Sequence, residues 1–201
     1  MENKKKNICT LFFVIVNIAV YIFLGLKGNP YDPVFMAEHG AAYTPYIIEN
    51  GEYYRLFTSM FLHFGVEHLI NNMIVLGAIG FHLEPHLGKF RFVLIYILSG
   101  LGANVLSLLA DLATVSFPVS AGASGAVFGI MGALVVVVLK NKGRIEGIDK
   151  SRMIFMVILS IYLGFTSPGT DNMAHIAGLI IGALLCAILY RNNGRKSVNE
   201  L

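Results

Sequence analysis

Charged side chains are scarce in this chain. Asp, Glu, Lys and Arg make up 13% of its 201 residues, whereas residues with apolar side chains make up 56%. Soluble domains carry about 25% charged residues, and a globule of this size could not cover so much apolar surface with so few of them. The same composition excludes intrinsic disorder, which requires few apolar residues. The chain is therefore predicted to be a polytopic membrane protein.

Tryptophan is absent, and cysteine is nearly so. The two cysteines, Cys9 and Cys186, lie in apolar runs at opposite ends of the chain, which excludes a disulfide scaffold and gives no spacing typical of metal ligands. The net charge of +3 is small and scattered, so nucleic acid is not an expected partner. Internal repeats are also absent, which disfavours a transporter built from two inverted halves.

Six apolar stretches are long enough, or nearly so, to be membrane helices, which predicts an all-α six-helix bundle. The second and fifth are short for a bilayer about 30 Å thick, but neighbouring helices can shield their ends. The first follows a run of lysines, yet no small-x-small cleavage site follows it, so we expect a retained helix and not a signal peptide. The stretches are Ile8–Leu26, Leu69–Phe81 with an extension back towards Phe57, Phe90–Leu109, Gly125–Leu139, Met153–Phe165 and Ala174–Tyr190.

The basic residues predict the orientation. If the N-terminus lies inside, every Lys and Arg except Lys27 and Arg55 falls in an inner segment, as the positive-inside rule requires. We therefore expect a multi-pass protein of the plasma membrane with both termini in the cytoplasm. Residues 1–7 and 191–201 would form short cytoplasmic tails, and residues 8–190 a single membrane domain.

One outer segment, from about Lys27 to Phe57, is unusually long for a compact bundle. It carries five tyrosines, whose rings are apolar and whose hydroxyls are polar. Such side chains are typical of the headgroup level of a bilayer, so this loop between the first two helices is predicted to lie along the membrane interface. An ordinary solvated loop is the alternative.

Two polar residues share a face at the start of the second stretch. His68 and Asn72 are four residues apart, which places both on one side of a helix. A zinc protease would need the pattern His-Glu-x-x-His, with the two imidazoles one turn apart. Here Glu67 directly precedes His68 and His63 lies five residues earlier, so neither that pattern nor the inverse His-x-x-Glu-His is present. No catalytic metal is expected.

The fourth stretch opens with Gly122-Ala123-Ser124-Gly125, a hydroxyl among residues with almost no side chain. At a helix N-terminus, free backbone N–H groups and the positive end of the helix dipole would stabilise an oxyanion beside that hydroxyl. Close helix packing is the alternative, and glycines at 125 and 129 fit it without any chemistry.

His175 is a lone imidazole in the apolar sixth stretch. The small residues Ala174, Gly178 and Gly182 recur every four positions, and they would let another helix approach closely. A packing histidine is one interpretation. The other is a general base for a hydroxyl on the fourth stretch.

The predicted topology favours a shared site. The second, fourth and sixth stretches all enter from the outer face with polar residues in their first turns, so these groups fall at one depth in the outer leaflet. A serine beside a histidine indicates nucleophilic acyl transfer. We expect a Ser124–His175 dyad, with the Ser124 N–H, His68 and Asn72 donating to the oxyanion. Asp171 is expected to lie towards the aqueous face, not to complete a triad.

Three motifs, in the order His68-x-x-x-Asn72, Gly122-Ala123-Ser124-Gly125 and Ala174-His175-x-x-Gly178, resemble those of rhomboid intramembrane serine proteases in their bacterial six-helix form. The resemblance implies an endopeptidase that needs no cofactor or metal and cuts transmembrane segments of other membrane proteins. It assigns Ser124 as nucleophile, His175 as base, and His68 with Asn72 to the oxyanion site. It also implies that the long outer loop flanks the site within the membrane and that the fifth stretch borders the substrate entry.

Among the residues expected to support the site, two positions differ from the family pattern. The Trp-Arg pair of the outer loop is Tyr54-Arg55 here. The aromatic residue one turn after the serine is Phe128 instead of tyrosine, so it can stack on His175 but cannot donate a hydrogen bond. Glu84, near the inner end of the second stretch, is expected to cap helix ends. The other supporting residues are Gly122, Gly125, Ala174 and Gly178.

Two other functions have to be weighed. A rhomboid-like pseudoprotease, which binds transmembrane helices without cutting them, would usually lack the serine or the histidine, and both are present. A transporter or channel would need charged groups along the inner halves of the second, fourth and sixth stretches, and those halves carry none. By resemblance, the favoured substrates are single-pass segments with small or helix-weakening residues near the outer face. Asn104, isolated in the third stretch, is expected to be an interhelical packing residue.

Overall fold

The computed structural model describes residues 7–145, 148–166 and 170–190, and this part of the chain is largely helical. A short antiparallel hairpin places Arg144 opposite Asp149. The elements in chain order are α1 (Ile8–Gly25), α2 (Pro33–Glu38), α3 (Thr44–Glu49), α4 (Arg55–Thr58), a 3₁₀ turn (Ser59–Phe61), α5 (Gly65–Leu87), α6 (Lys89–Thr114), α7 (Ser124–Lys140), β1 (Arg144–Ile145), β2 (Ile148–Asp149), α8 (Lys150–Thr166) and α9 (Asn172–Leu189).

Among the described residues, four helices are long and apolar enough to cross a membrane, namely α1, α5, α6 and α9. α7 is a shorter apolar helix of 17 residues. All six predicted stretches lie within helices to within a residue at each end, the fifth of them in α8. α5 begins at Gly65, within the predicted extension of the second stretch, but it continues six residues past Phe81 and so includes the polar Glu84, which makes the prediction too short at its inner end. The number of membrane spans, six, stays a prediction.

α7 lies at the centre of the described bundle. Of residues 125–138, only Val135 and Val136 are not fully buried. A helix that is apolar and buried on all sides must be enclosed by other helices. Its neighbours in the core include Leu76 of α5 and Ile95 of α6, neither of which has exposed surface.

The backbones of α7 and α9 touch along a row of small residues. A Cβ atom at Gly178 would overlap the carbonyl oxygen of Gly125, and one at Gly182 would overlap that of Gly129. So close an approach of two helix backbones is possible only where small residues line the contact. The close approach predicted for the small residues of the sixth stretch is confirmed, and the helix that approaches them is α7.

Glu84 caps the first turn of α1. Its carboxylate accepts hydrogen bonds from the backbone N–H groups of Cys9 (3.0 Å) and Thr10 (2.8 Å) and from the Thr10 hydroxyl (2.8 Å). The negative charge also complements the positive end of the helix dipole. The expectation that Glu84 caps a helix end is confirmed, and it does so across 74 positions of sequence.

Arg55 organises the segment between α1 and α5. Its side chain is buried, and Nη1 donates to the carbonyl oxygens of Ala37 (2.5 Å) and Ala41 (3.0 Å). Nε donates to the Glu52 carboxylate (2.6 Å), and the Tyr54 ring lies 5.5 Å from the guanidinium carbon. A buried cation is stabilising only when its hydrogen bonds are satisfied, and here several are. Arg55 therefore joins three parts of a segment that has no long helix of its own.

We predict that Gly182→Ala destabilises the bundle. The new Cβ would overlap the Gly129 carbonyl oxygen, so α7 and α9 would have to separate. Overpacking of this kind lowers the free energy of unfolding by about 1–3 kcal/mol. Thermal unfolding in detergent, followed by circular dichroism, measures the effect. Gly77→Ala is the matched control, because a Cβ there would make only an ordinary 3.6 Å contact with Phe81, and equal melting temperatures for the two variants would contradict the prediction.

We also predict that stability depends on pH through Glu52. Its hydrogen bond from Arg55 lowers the pKa of Glu52 below the ordinary value of 4.5. Because the pKa is lowered in the folded state, the contribution of Glu52 to the free energy of unfolding is complete above its ordinary pKa. That contribution is lost as the pH falls through the lowered pKa. Between pH 7 and about pH 3, the melting temperature of Glu52→Gln should therefore fall less than that of the wild type, by about 2 °C or more.

The control for this experiment is Glu38→Gln, which removes another exposed acid from the same segment. This variant should show the wild-type difference between the two pH values. If Glu38→Gln and Glu52→Gln behave alike, the Glu52–Arg55 pair is not the origin of the pH dependence.

Candidate active site

Ser124 is the first residue of α7, as the position of the Gly-Ala-Ser-Gly motif predicts. The first N–H groups of a helix have no partner within the helix, so the backbone around Ser124 presents donors to any anion placed there. Two hydrogen bonds hold the preceding residues in place: Gly122 N donates to Ser59 O (2.9 Å) and Ala123 N to His63 Nε2 (3.3 Å). The hydroxyl is therefore anchored from the 3₁₀ turn and from His63 as well as from its own helix.

His175 lies in the first turn of α9 and is 4% exposed. Its ring stacks on the ring of Phe128, with 4.4 Å between centroids and 8° between planes. Phe128 is four residues after Ser124, so the same face of α7 carries the serine and the surface on which the imidazole rests. Within the described contacts, the buried Nδ1 of His175 has no hydrogen-bond partner. Stacking and helix position, without a third polar side chain, thus orient this imidazole.

Ser124 and His175 border the same opening, which has a volume of about 370 Å³ including its mouth. The hydrogen bonds of the described residues do not include one between their side chains. In unliganded enzymes such bonds are often long and close only when substrate binds. The residues around the opening are His68, Asn104, Ser120, Ala121, Gly122, Ser124, Gly125, Thr170, Asp171, Ala174 and His175.

His68 reaches the opening from α5. A Cβ atom at Gly122 would lie 2.8 Å from His68 Cε1 and 3.6 Å from Ser124 Oγ, so the imidazole and the hydroxyl flank one glycine. The ring of His63 meets that of His68 edge to face, with centroids 5.2 Å apart. The His68 imidazole therefore lies beside the Ser124 hydroxyl.

Asn72 is buried one turn further along α5 and does not border the opening. Its Nδ2 donates to the carbonyl oxygen of His68 (3.0 Å). An amide nitrogen carries two hydrogens, so a second donor remains beside the His68 backbone. The role of Asn72 in oxyanion binding stays a prediction.

The remaining predicted supporting residues are structural neighbours of the site. Gly125 packs against Ala103 of α6 and the backbone of Ala174, and it meets Gly178 across the α7–α9 contact. Arg55 does not border the opening. Its influence passes through Ala41, because the next residue, Ala42, forms a backbone bridge with Ser120 ahead of α7.

Several residues at the opening are not in the predicted site. Asp171, expected towards the aqueous face, borders the opening, and its carboxylate accepts hydrogen bonds from Ser107 and Ser120. Asn104 joins two elements, as a packing residue should, because its Nδ2 donates to Leu56 O (2.7 Å) and to Ser59 Oγ (3.0 Å). It also borders the opening. For Asp171 a sequence signal existed, since Asp directly before an apolar helical stretch is a typical helix N-cap. For Asn104 none did.

Among the described residues, no group of three or more His, Cys, Asp or Glu side chains lies close enough together to hold a metal ion. The chemistry that the arrangement supports is that of a hydroxyl, an imidazole and helix N-terminal donors around one cavity.

Comparison with known proteins identifies the family. A family model described as the Rhomboid domain matches residues 50–192, a range that contains all three motifs. The chain belongs to the rhomboid family. The resemblance seen in the sequence is therefore confirmed, and the described helices are those of a rhomboid-like multi-pass membrane protein.

Named relatives cover most of this rhomboid chain. It is 33% identical over 180 residues to Rhomboid protease GluP of Bacillus subtilis, a match that covers 90% of this chain and 34% of that protein. It is 35% identical over 199 residues to Rhomboid protease AarA of Providencia stuartii, covering 88% and 70%. RHOMBOID-like protein 5 of Arabidopsis thaliana is 38% identical over 145 residues, covering 71% and 46%. The chain thus spans about a third of GluP and under half of the Arabidopsis protein.

We predict that Gly122→Ala closes the site of this rhomboid protein. Gly122 has φ +147°, which side chains rarely adopt, and the new Cβ would collide with His68 beside Ser124. Labelling of Ser124 by a fluorophosphonate should fall about tenfold or more, because the displaced His68 ring and backbone would alter the surroundings of the Ser124 hydroxyl. Gly51→Ala is the control, since Gly51 also has a positive φ (+71°) but open space around its Cβ position. Equal labelling of the two variants would show that the contact with His68 does not matter.

Proposed function

We propose that this rhomboid protein is an intramembrane serine endopeptidase that hydrolyses peptide bonds in or near transmembrane segments of other membrane proteins. One observation carries the proposal: Ser124, at the N-terminus of the enclosed helix α7, and His175, on the helix whose backbone touches α7, border one cavity. The family membership and two relatives named as rhomboid proteases support it.

In the proposed reaction, His175 removes the proton from the Ser124 hydroxyl while Oγ attacks the carbonyl carbon of the substrate. The negative charge then develops on the carbonyl oxygen, next to the Ser124 N–H and His68, with the free N–H of the Asn72 amide as a third donor after a small rotation. His175 gives its proton to the leaving amine. In the second half of the reaction, His175 takes a proton from water while the water attacks the acyl-enzyme and releases Ser124. The cavity provides the route by which the water enters.

The proposed catalytic unit is a dyad. Phe128 holds the imidazole by stacking, in place of the carboxylate that orients the histidine of a triad. Phenylalanine cannot donate a hydrogen bond to the ring, so the packing of Phe128 and the helix backbone provide the orientation. Gly122, Gly125, Ala174 and Gly178 support the site through close backbone packing, and Arg55 supports it through the hydrogen bonds of its buried side chain.

We further propose that α1, α5, α6, α7, α8 and α9 all span the membrane and that the segment between α1 and α5 lies at the outer interface. The distribution of basic residues supports a cytoplasmic location for residues 1–7 and 191–201. The membrane would then be the plasma membrane. The helix lengths support a recessed site. α7 is about 25 Å long against about 39 Å for α6, so Ser124 starts below the membrane surface on the outer side.

A transmembrane substrate must unwind before it reaches Ser124. The carbonyl groups of a helix are hydrogen-bonded and shielded by side chains, so a helical bond cannot meet the nucleophile. Segments with small or helix-weakening residues near the outer face unwind most easily and are the proposed substrates. We propose that they enter beside α8 and that neither metal nor cofactor takes part.

The test is cleavage of a single-pass model substrate by the purified protein in liposomes. Ser124→Ala and His175→Ala should each reduce the rate by about 10³-fold or more, because neither half of a dyad acts alone. Chelators should leave the wild-type rate unchanged. Gly77→Ala, in α5 but outside the site, should cleave as the wild type does.

Other outcomes would select other functions. A folded wild-type protein that cuts no member of a varied substrate panel would indicate a pseudoprotease. Cleavage that survives Ser124→Ala would mean that Ser124 is not the nucleophile, and loss of activity with chelators would indicate a metal.

A further inference from the structure

Asp171 is the residue directly before α9, and it caps that helix. Its Oδ1 accepts a hydrogen bond from Ala174 N (2.8 Å), and its carbonyl oxygen accepts one from His175 N (3.1 Å). A carboxylate at this position also complements the positive end of the helix dipole. Asp171 therefore holds the backbone N–H groups of both Ala174 and His175.

The other carboxylate oxygen of Asp171 binds two further elements. Oδ2 accepts hydrogen bonds from the hydroxyls of Ser107, on α6, and Ser120 (3.2 Å). Ser120 belongs to the segment that leads into Ser124, and its backbone pairs with Ala42 through two hydrogen bonds of 2.8 and 2.9 Å. One side chain thus connects the start of α9 with α6 and with the residues ahead of the serine.

We propose that Asp171 is a positioning residue for His175, which holds the first turn of α9 in register with Ser124 and keeps a negative charge at the cavity where the imidazolium forms. The inference rests on the proposed function. During the reaction His175 carries the proton taken from Ser124, and a nearby carboxylate stabilises that cation without touching the ring. This accounts for a buried Nδ1 that has no partner among the described contacts and for a base that works without a triad.

Among the described residues, few other titratable side chains border the cavity of His175. α5 contributes His68, which borders the same cavity. α6 contributes Asp111, which accepts a hydrogen bond from the Thr44 hydroxyl (2.8 Å) and lines a neighbouring cavity. The part of α7 in contact with His175 presents Ser124 and the apolar Phe128. Of the two carboxylates, only that of Asp171 borders the cavity of the serine.

The experiment compares pH–rate profiles of Asp171→Asn and the wild type with a model substrate in liposomes. Asparagine caps a helix as well as aspartate does, and its Nδ2 can donate to the hydroxyls of Ser107 and Ser120 in place of the bonds that Oδ2 accepted, so the melting temperature should change little. The kcat should fall about tenfold, and the acid limb of the profile should move to lower pH by about half a unit or more, because an amide no longer favours the imidazolium. Ser107→Ala keeps the charge and should leave the acid limb in place.

Asp149→Asn is the matched control. Asp149 caps α8 in the same manner, through Arg152 N (2.9 Å), and does not border the cavity, so its variant should keep the wild-type kcat and profile. A profile for Asp171→Asn equal to that of the wild type would overturn the proposal. So would an Asp171→Asn variant that only melts earlier.

The proposal can fail separately from the proposed function. If the wild type shows no cleavage that depends on Ser124, the proposed function fails. Nuclear magnetic resonance of isotope-labelled histidine then still tests Asp171, because the titration curve of His175 must differ between the wild type and Asp171→Asn. Identical curves would overturn the inference.

Discussion

The contact between the backbones of α7 and α9 is the interaction on which the site depends. A Cβ atom at Gly178 or Gly182 of α9 would overlap the carbonyl oxygen of Gly125 or Gly129 of α7, whereas a Cβ atom at Gly125 or Gly129 would overlap α6. A rotation of either helix would drive a side chain into a carbonyl group. Because Ser124 directly precedes the first of these glycines and His175 lies within the turn before Gly178, the packing sets their relative position.

Short-range patterns made much of this arrangement predictable. Small residues four positions apart predict a close helix contact. The four-residue spacing from Ser124 to Phe128 predicts that the Phe128 ring lies beside a side chain that contacts the serine. The cavity border was harder to predict from the sequence, since Asp171 contacts Ser107 and Ser120, which lie 64 and 51 positions away in the chain. The length of α5 was also missed, because its buried Glu84 is satisfied by a helix far away in sequence.

The segment between α1 and α5 shows how a residue outside the cavity can shape it. Arg55 gathers the carbonyl oxygens of Ala37 and Ala41 and the carboxylate of Glu52 around one buried charge. Ala42 then continues into the backbone bridge to Ser120, and Ser59 receives the N–H of Gly122. The chain on either side of Arg55 thus supports the residues that lead into Ser124. Tyrosine at 54 retains an aromatic face on the guanidinium.

The capping of α1 by Glu84 has a consequence for biogenesis. α1 leaves the ribosome before α5, but the acceptor for the N–H groups of its first turn lies 74 residues downstream of Thr10, in α5. Until α5 has been made and inserted beside it, the first turn of α1 can bind only water or headgroups. The first turn of α1 is therefore completed against the order of synthesis, because α1 receives its final hydrogen bonds from a helix that is made later.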